Sequence, residues 1–179
     1  MHRAMVTCRP MPRADADHKA LAPKSVRCVV LTVSDTRTAE TDTSGRAIAQ
    51  LLTAAGHEVV DAAIVKDDPS LVRGTVERQL ASPDAQAIIV TGGTGITSRD
   101  STYEAIDGLL EKRLDGFGEL FRMLSYEQIG AAAMMSRACA GLARGRIVIS
   151  LPGSEAAVRL AMERLVIPEL GHLVQQANR

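Results

Sequence analysis

The stretch Ala87-Ile88-Ile89-Val90-Thr91-Gly92-Gly93-Thr94-Gly95 decides the fold. Ala87 to Val90 is short, aliphatic and rich in β-branched residues, which suits a strand buried on both faces of a parallel sheet better than a half-exposed one. Three glycines within the next five residues then fall at that strand's carboxyl end. Without Cβ atoms, backbone N–H groups there can approach an anion closely, and open α/β sheets bind ligands at that edge. The loop therefore suits a phosphate. Arg99 offers a bidentate cation and Asp100 a hard oxygen ligand for Mg²⁺. A tight glycine turn followed by a surface Arg–Asp pair accounts for the same residues equally well. The spacing fits neither a Walker A loop, which needs Gly-Lys-Ser/Thr, nor the GxGxxG dinucleotide fingerprint.

Upstream, Val26 to Val33 predicts a first buried strand that delivers Ser34-Asp35 to its carboxyl end. Asp42 or Ser44 suits the cap of a helix carrying Ile48, Leu51, Leu52 and Ala55, and Gly56 suits its stop. Capping alone explains both polar residues. His57 to Val65 predicts a second strand, followed by Asp67-Asp68 and a helix striped by Val72, Val76 and Leu80. Carboxylates at a helix start are favoured by its dipole, which accounts for Asp67 and Asp68 without function. If the two loops meet in space, Asp67 and Asp100 instead become paired carboxylates able to share a metal.

Downstream, Ser101 or Thr102 is expected to cap a helix running through Leu109 and Leu110, with Glu104 completing a capping box. Leu120, Phe121 and Leu124 predict a short helix, and Phe117 to Leu124 is the expected subunit contact. Ser136 to Gly141 predicts a strand paired, across Ala143-Arg144-Gly145, with a strand from Arg146 to Leu151. Pro152-Gly153-Ser154 opens a final helix through Leu165 that is expected to end near Pro168. Its free amides make either a second anion site or an ordinary cap. Strands alternating with helices predict a right-handed, doubly wound α/β sheet.

At 179 residues the chain is long enough for one domain. Its 21 Lys+Arg against 21 Asp+Glu leave no net field to attract nucleic acid or membrane. Aromatic residues are 2% with no Trp, so base stacking is nearly excluded and Ala, Val, Ile, Leu and Met must fill the core. Cys8, Cys28 and Cys139 show neither metal-ligand spacing nor a disulfide framework, and Cys28 reads as a small core residue. No apolar stretch approaches the roughly 18 residues that span a bilayer. Residues 1–24 lack the continuous apolar run of a signal peptide, so a cytoplasmic protein is expected.

Taken in order, VLTVSD, DTSG, TGGTGITSRD, GFGELFRMLS, SRACAG and LPGS resemble the MoaB/Mog family of molybdenum cofactor biosynthesis proteins, and its MoaB branch most closely. The resemblance runs from about Val26 to Leu173. It implies a three-layer α/β/α fold with a mostly parallel sheet. Residues 1–24 form an N-terminal extension and 25–179 a single molybdopterin-binding domain, commonly assembled as homotrimers or as homohexamers of two trimers. In the family's adenylyltransferases, Mg-ATP transfers AMP to the terminal phosphate of molybdopterin, giving adenylyl-molybdopterin and pyrophosphate.

Carried onto this chain, the resemblance implies that Thr91, Gly92, Gly93, Thr94 and Gly95 hold phosphates, with Ser34 beside them. Asp67 and Asp100 become the catalytic acidic residues and the Mg²⁺ ligands. Ser136 and Arg137 match the segment near the pterin, and Pro152, Gly153 and Ser154 the turn beside the ligand. The chain departs from the family at Thr102-Tyr103-Glu104, where Thr-Pro-Glu is usual. Proline in a helix's first turn is dispensable, but Tyr103 stands where it could alter ligand contacts. Since some MoaB members lack the activity, the alternative is a non-catalytic molybdopterin- or nucleotide-binding protein; retention of both aspartates favours the enzyme. The implied partners are molybdopterin, ATP, further copies of the chain and other proteins of the same biosynthesis.

Overall fold

The aliphatic runs form the centre of one six-stranded sheet in the computed structural model, which describes residues 22–97 and 100–179. The rest of the N-terminal extension, and the pair Ser98 and Arg99, lie outside the described residues. The strands are β1 (Arg27–Val33), β2 (Glu58–Val65), β3 (Ala87–Thr91), β4 (Lys112–Arg113), β5 (Cys139–Ala143) and β6 (Arg146–Leu151), in the order β2-β1-β3-β6-β5-β4. β2, β1, β3 and β6 are parallel; β5 and β4 close one edge antiparallel. Every residue of β3 is buried, as a central parallel strand requires.

The helices are α1 (Thr43–Ala54), α2 (Pro69–Ala81), α3 (Thr102–Asp107), α4 (Asp115–Ile129), α5 (Glu155–Ala161) and α6 (Ile167–Ala177). Alternation along the strands divides the core in two. Val30, Ile89 and Ile149 face α1, α4, α5 and α6, while Leu31, Ile88 and Val148 face α2 and α3. The fold is therefore a three-layer α/β/α sandwich with a mostly parallel sheet. Each of these fully buried aliphatic side chains contributes roughly 1.5–3 kcal/mol relative to exposure.

Local chemistry sets most element boundaries as expected. Asp42 caps α1 by accepting from the Gly45 amide, Asp68 caps α2 by accepting from Ser70 and Leu71, and Gly56 turns the chain after α1 at φ +85°. After β2 the chain returns to the opposite side of β1, so the sheet's switch point lies between β1 and β3.

Four expectations need correcting. α3 stops at Asp107, with Gly108 as its C-cap, Ser101 makes no side-chain cap bond, and the Glu104 side chain pairs with Arg137 instead of closing a capping box. The strand expected at Ser136 starts at Cys139, opposite Ser150, and turns at Arg144 and Gly145, both at positive φ. The last helical segment does not end at Pro168: a π-helical turn over Met162–Val166 leads into α6, which carries the proline in its first turn. Finally, Phe121 is 1% exposed and belongs to the core, so the stretch Phe117 to Leu124 is not one contact surface. The outward apolar residues are Leu120, Met123, Tyr126 and Ile129, followed by Met134 and Met135.

Candidate ligand site at the strand ends

The carboxyl ends of β1, β3 and β6 converge at the switch point. Gly92 has φ +102°, and a Cβ there would lie 2.2 Å from the carbonyl oxygen of Val33. A Cβ on Gly153 would lie 3.2 Å from the Gly92 Cα, and the Thr91 hydroxyl donates to the Pro152 carbonyl at 3.0 Å. Position 92 thus needs glycine for both its backbone angle and its contact. Gly93, at φ +63°, is backed by Thr102 Oγ1 and by Asp67 Oδ1, which would stand 2.1 and 2.9 Å from an added Cβ.

Two cavities open here. The smaller, about 170 Å³, is lined by Thr32, Val33, Arg37, Thr91, Gly92, Gly93 and Gly153. The larger, about 360 Å³, brings Gly93, Thr94, Gly95, Asp100, Ser136, Pro152, Gly153 and Ser154 against an apolar wall that includes Phe121, Ile129 and Met135. The structure therefore gathers most of the sequence-predicted residues around one opening. Ser136 Oγ is buried beside it and meets no hydrogen-bond partner among the described residues. A buried hydroxyl in that state is suited to a ligand or a water.

Arg137 lies against the loop itself. Its Nε donates to the Thr94 carbonyl at 3.0 Å and its Nη2 to the Asp100 carbonyl at 3.2 Å, while further donations reach the Gly95 carbonyl and the Glu104 carboxylate. Asp100 Oδ2 accepts from the Thr97 amide at 3.0 Å and the Thr97 hydroxyl at 2.5 Å. That hydroxyl bond, helped by the Thr97 and Gly95 amides and the Arg137 charge, holds the Asp100 carboxyl below its ordinary pKa against a smaller opposing effect of burial. Asp100 is an anion that also closes the loop. Ser34 Oγ accepts from the Thr36 and Arg37 amides at 3.2 and 3.1 Å, shaping the turn after β1. Ser154 Oγ caps α5 by accepting from Ala157 at 3.3 Å.

Arg37 is the residue that sequence reasoning missed. Its Nη1 donates to Asp42 at 3.2 Å and to Ser44 at 2.8 Å, and its Nη2 to the Gly153 carbonyl at 2.9 Å. Asp42 also accepts from Thr32 at 2.6 Å. The DTSG segment therefore does more than cap α1. Its link across to the turn after β6 is made with a carbonyl 116 positions away, so no local pattern signals that role.

Asp67 and Asp100 flank the loop, at Gly93 and at Gly95, and the Asp67 amide donates to Asp35 at 3.2 Å. Among the described residues no group of three or more His, Cys, Asp or Glu forms a cage for a metal ion. Two loop-flanking carboxylates instead fit Mg²⁺ that arrives with phosphates and keeps its waters.

A sequence profile described as a probable molybdopterin binding domain matches residues 29–172. The chain is 51% identical over 164 residues to a molybdenum cofactor biosynthesis protein B of Bacillus cereus, which covers 91% of this chain and 97% of that one. Its structure resembles a crystal structure of a molybdenum cofactor biosynthesis protein B, with TM-score 0.86 and 50% identity over 88% of this chain and 99% of that one. It also resembles the tungsten cofactor synthesizing protein MoaB from Pyrococcus furiosus, with TM-score 0.80 and 39% identity over 88% of this chain and all of that one. Among the described residues no helix is long and apolar enough to cross a membrane.

Proposed function

We propose a function from one premise: the chain belongs to the molybdenum cofactor biosynthesis protein B (MoaB) family of probable molybdopterin-binding domains, and so to molybdenum cofactor biosynthesis. The proposed activity is adenylyl transfer. An oxygen of molybdopterin's terminal phosphate attacks the α-phosphorus of ATP, the bond to the β-phosphate oxygen breaks, and pyrophosphate leaves. Phosphoryl chemistry of this kind depends on alignment and charge neutralisation more than on a covalent partner.

The observation that carries this reading is the convergence of three strand ends on the loop Thr91 to Gly95, with the carboxylates of Asp67 and Asp100 against its glycines. In the proposal the loop amides hold phosphates, and the apolar wall of Phe121, Ile129 and Met135 receives the pterin ring, which Ser136 Oγ contacts. Arg137 sets the loop from behind. Asp67 and Asp100 would hold Mg²⁺, which when bound neutralises phosphate charge.

A second reading, binding of molybdopterin or a nucleotide without catalysis, draws support from the engagement of Asp100 with Thr97 inside the loop. Incubation with ATP, Mg²⁺ and molybdopterin separates the two. Pyrophosphate release is expected, and Asp100→Asn is expected to lose most of it while still binding the pterin. A wild-type chain that binds the pterin and releases no pyrophosphate overturns the enzymatic reading. We also propose homo-oligomeric assembly through the outward apolar residues of α4 and the turn that follows, Met123, Tyr126 and Met134 among them.

A further inference from the structure

The glycine loop is held at its carbonyls. Arg137 accounts for two of them, Thr94 and Gly95, and also holds the carbonyl of the flanking Asp100; the planar guanidinium that does so is itself fixed from two sides. The Tyr103 ring lies under it, with Cζ 5.1 Å from the ring centroid, and the Glu104 carboxylate pairs with Nη1. Tyr103 and Glu104 are neighbours in the first turn of α3, so this helix presents a face and a carboxylate to one arginine. No described peptide bond is cis. In a trans peptide the amide points away from its carbonyl, so turning the Thr94 and Gly95 carbonyls toward Arg137 turns the Gly95 and Ile96 amides to the opposite side.

We propose that Tyr103 and Glu104 are positioning residues for the glycine loop, acting through Arg137 to set which way its amides face. That the loop so positioned holds phosphates rests on the function proposed above; the clamp itself does not. Backbone amide exchange over residues 92–97 of the ligand-free, full chain therefore tests it. Tyr103→Phe keeps the ring and should exchange like wild type. Tyr103→Pro, which a helix's first turn accepts, and Tyr103→Leu should each exchange about two- to five-fold faster there, the factor expected for one exposed cation–π contact. Exchange in β1 should not change. In an Arg137→Ala background, Tyr103→Leu should add nothing.

Loop exchange unchanged by loss of the ring overturns the clamp, as does an effect of Tyr103→Leu that persists without Arg137. Faster exchange restored by Tyr103→Phe supports it, even if no variant, wild type included, releases pyrophosphate; that result counts against adenylyl transfer alone. If wild type is active, loss of pyrophosphate release in Tyr103→Leu and its recovery in Tyr103→Phe should parallel the exchange rates.

Discussion

Ser44 and Gly153 lie 109 positions apart and are joined by a hydrogen bond of 2.7 Å from the Ser44 hydroxyl to the Gly153 carbonyl. Arg37 donates to the same oxygen at 2.9 Å. The loop after β1 and the turn after β6 are thereby tied across the switch point, so the two walls of the smaller cavity keep a fixed separation. Because Arg37 remains when Ser44 is removed, Ser44→Ala should cost only about 0.5–1.5 kcal/mol. Removing both donors leaves the carbonyl without either partner, and the double variant Ser44→Ala/Arg37→Ala should lose more than the sum of the single losses. Urea unfolding midpoints measure this, and strictly additive losses would argue that the two donors do not share a task.

Gly92 and Gly56 both have positive φ but differ in surroundings. An added Cβ at Gly56 has nothing within 4 Å, whereas one at Gly92 meets the Val33 backbone. Gly56→Ala should therefore show backbone strain alone, about 1–2 kcal/mol. Gly92→Ala adds a contact that only a backbone shift relieves, and should cost roughly twice as much or more, with ligand binding lost. Equal unfolding midpoints for the two variants would mean that the strand ends approach less closely than described.

Phe121 and Met123 separate the two faces of α4. Phe121 is buried in the core beside Phe117, while Met123 is 55% exposed. Phe121→Ala should destabilise by about 3–5 kcal/mol, as large-to-small core changes do. Met123→Lys should leave the fold intact within about 0.5 kcal/mol and reduce the size of the assembly seen in sedimentation. An unchanged assembly after Met123→Lys would place the subunit contact elsewhere.

These contrasts mark what the residues themselves make legible. β1, β3 and β6 stand out because strands buried on both faces are continuous aliphatic runs, and Asp42, Gly56 and Asp68 follow local capping rules that need no tertiary partner. β4 gives no signal, since Lys112 and Arg113 are both exposed. The course of the chain past Pro168 depends on a π turn that no apolar period encodes. In α4, adjacent apolar residues lie on different faces, and composition alone does not say which face is covered. The glycine loop and its flanking aspartates are visible in sequence. Arg137 is visible through the segment that carries the family resemblance, but its task is not, because the carbonyls it holds lie 37 to 43 positions away, and Arg37 is not visible at all, because the Gly153 carbonyl it reaches is 116 positions away.

His57 gives the pH dependence. Its Nδ1 accepts from the Val26 amide at 3.2 Å, at the entry to β1, and this requires an unprotonated Nδ1. Burial lowers the His57 pKa below its ordinary 6.5. The unfolded chain therefore takes up the proton first as pH falls. Above about pH 6.5 the ring is neutral in both states and its contribution to stability is complete; that contribution is lost as pH falls from there through the lower folded pKa. The wild-type urea midpoint should accordingly drop between about pH 7.5 and 5.5, with a slope from this one group of at most about 1.4 kcal/mol per pH unit. His57→Asn has no titrating ring and should show a shallower decline over the same range. If the two declines are parallel, the proton responsible binds at another residue.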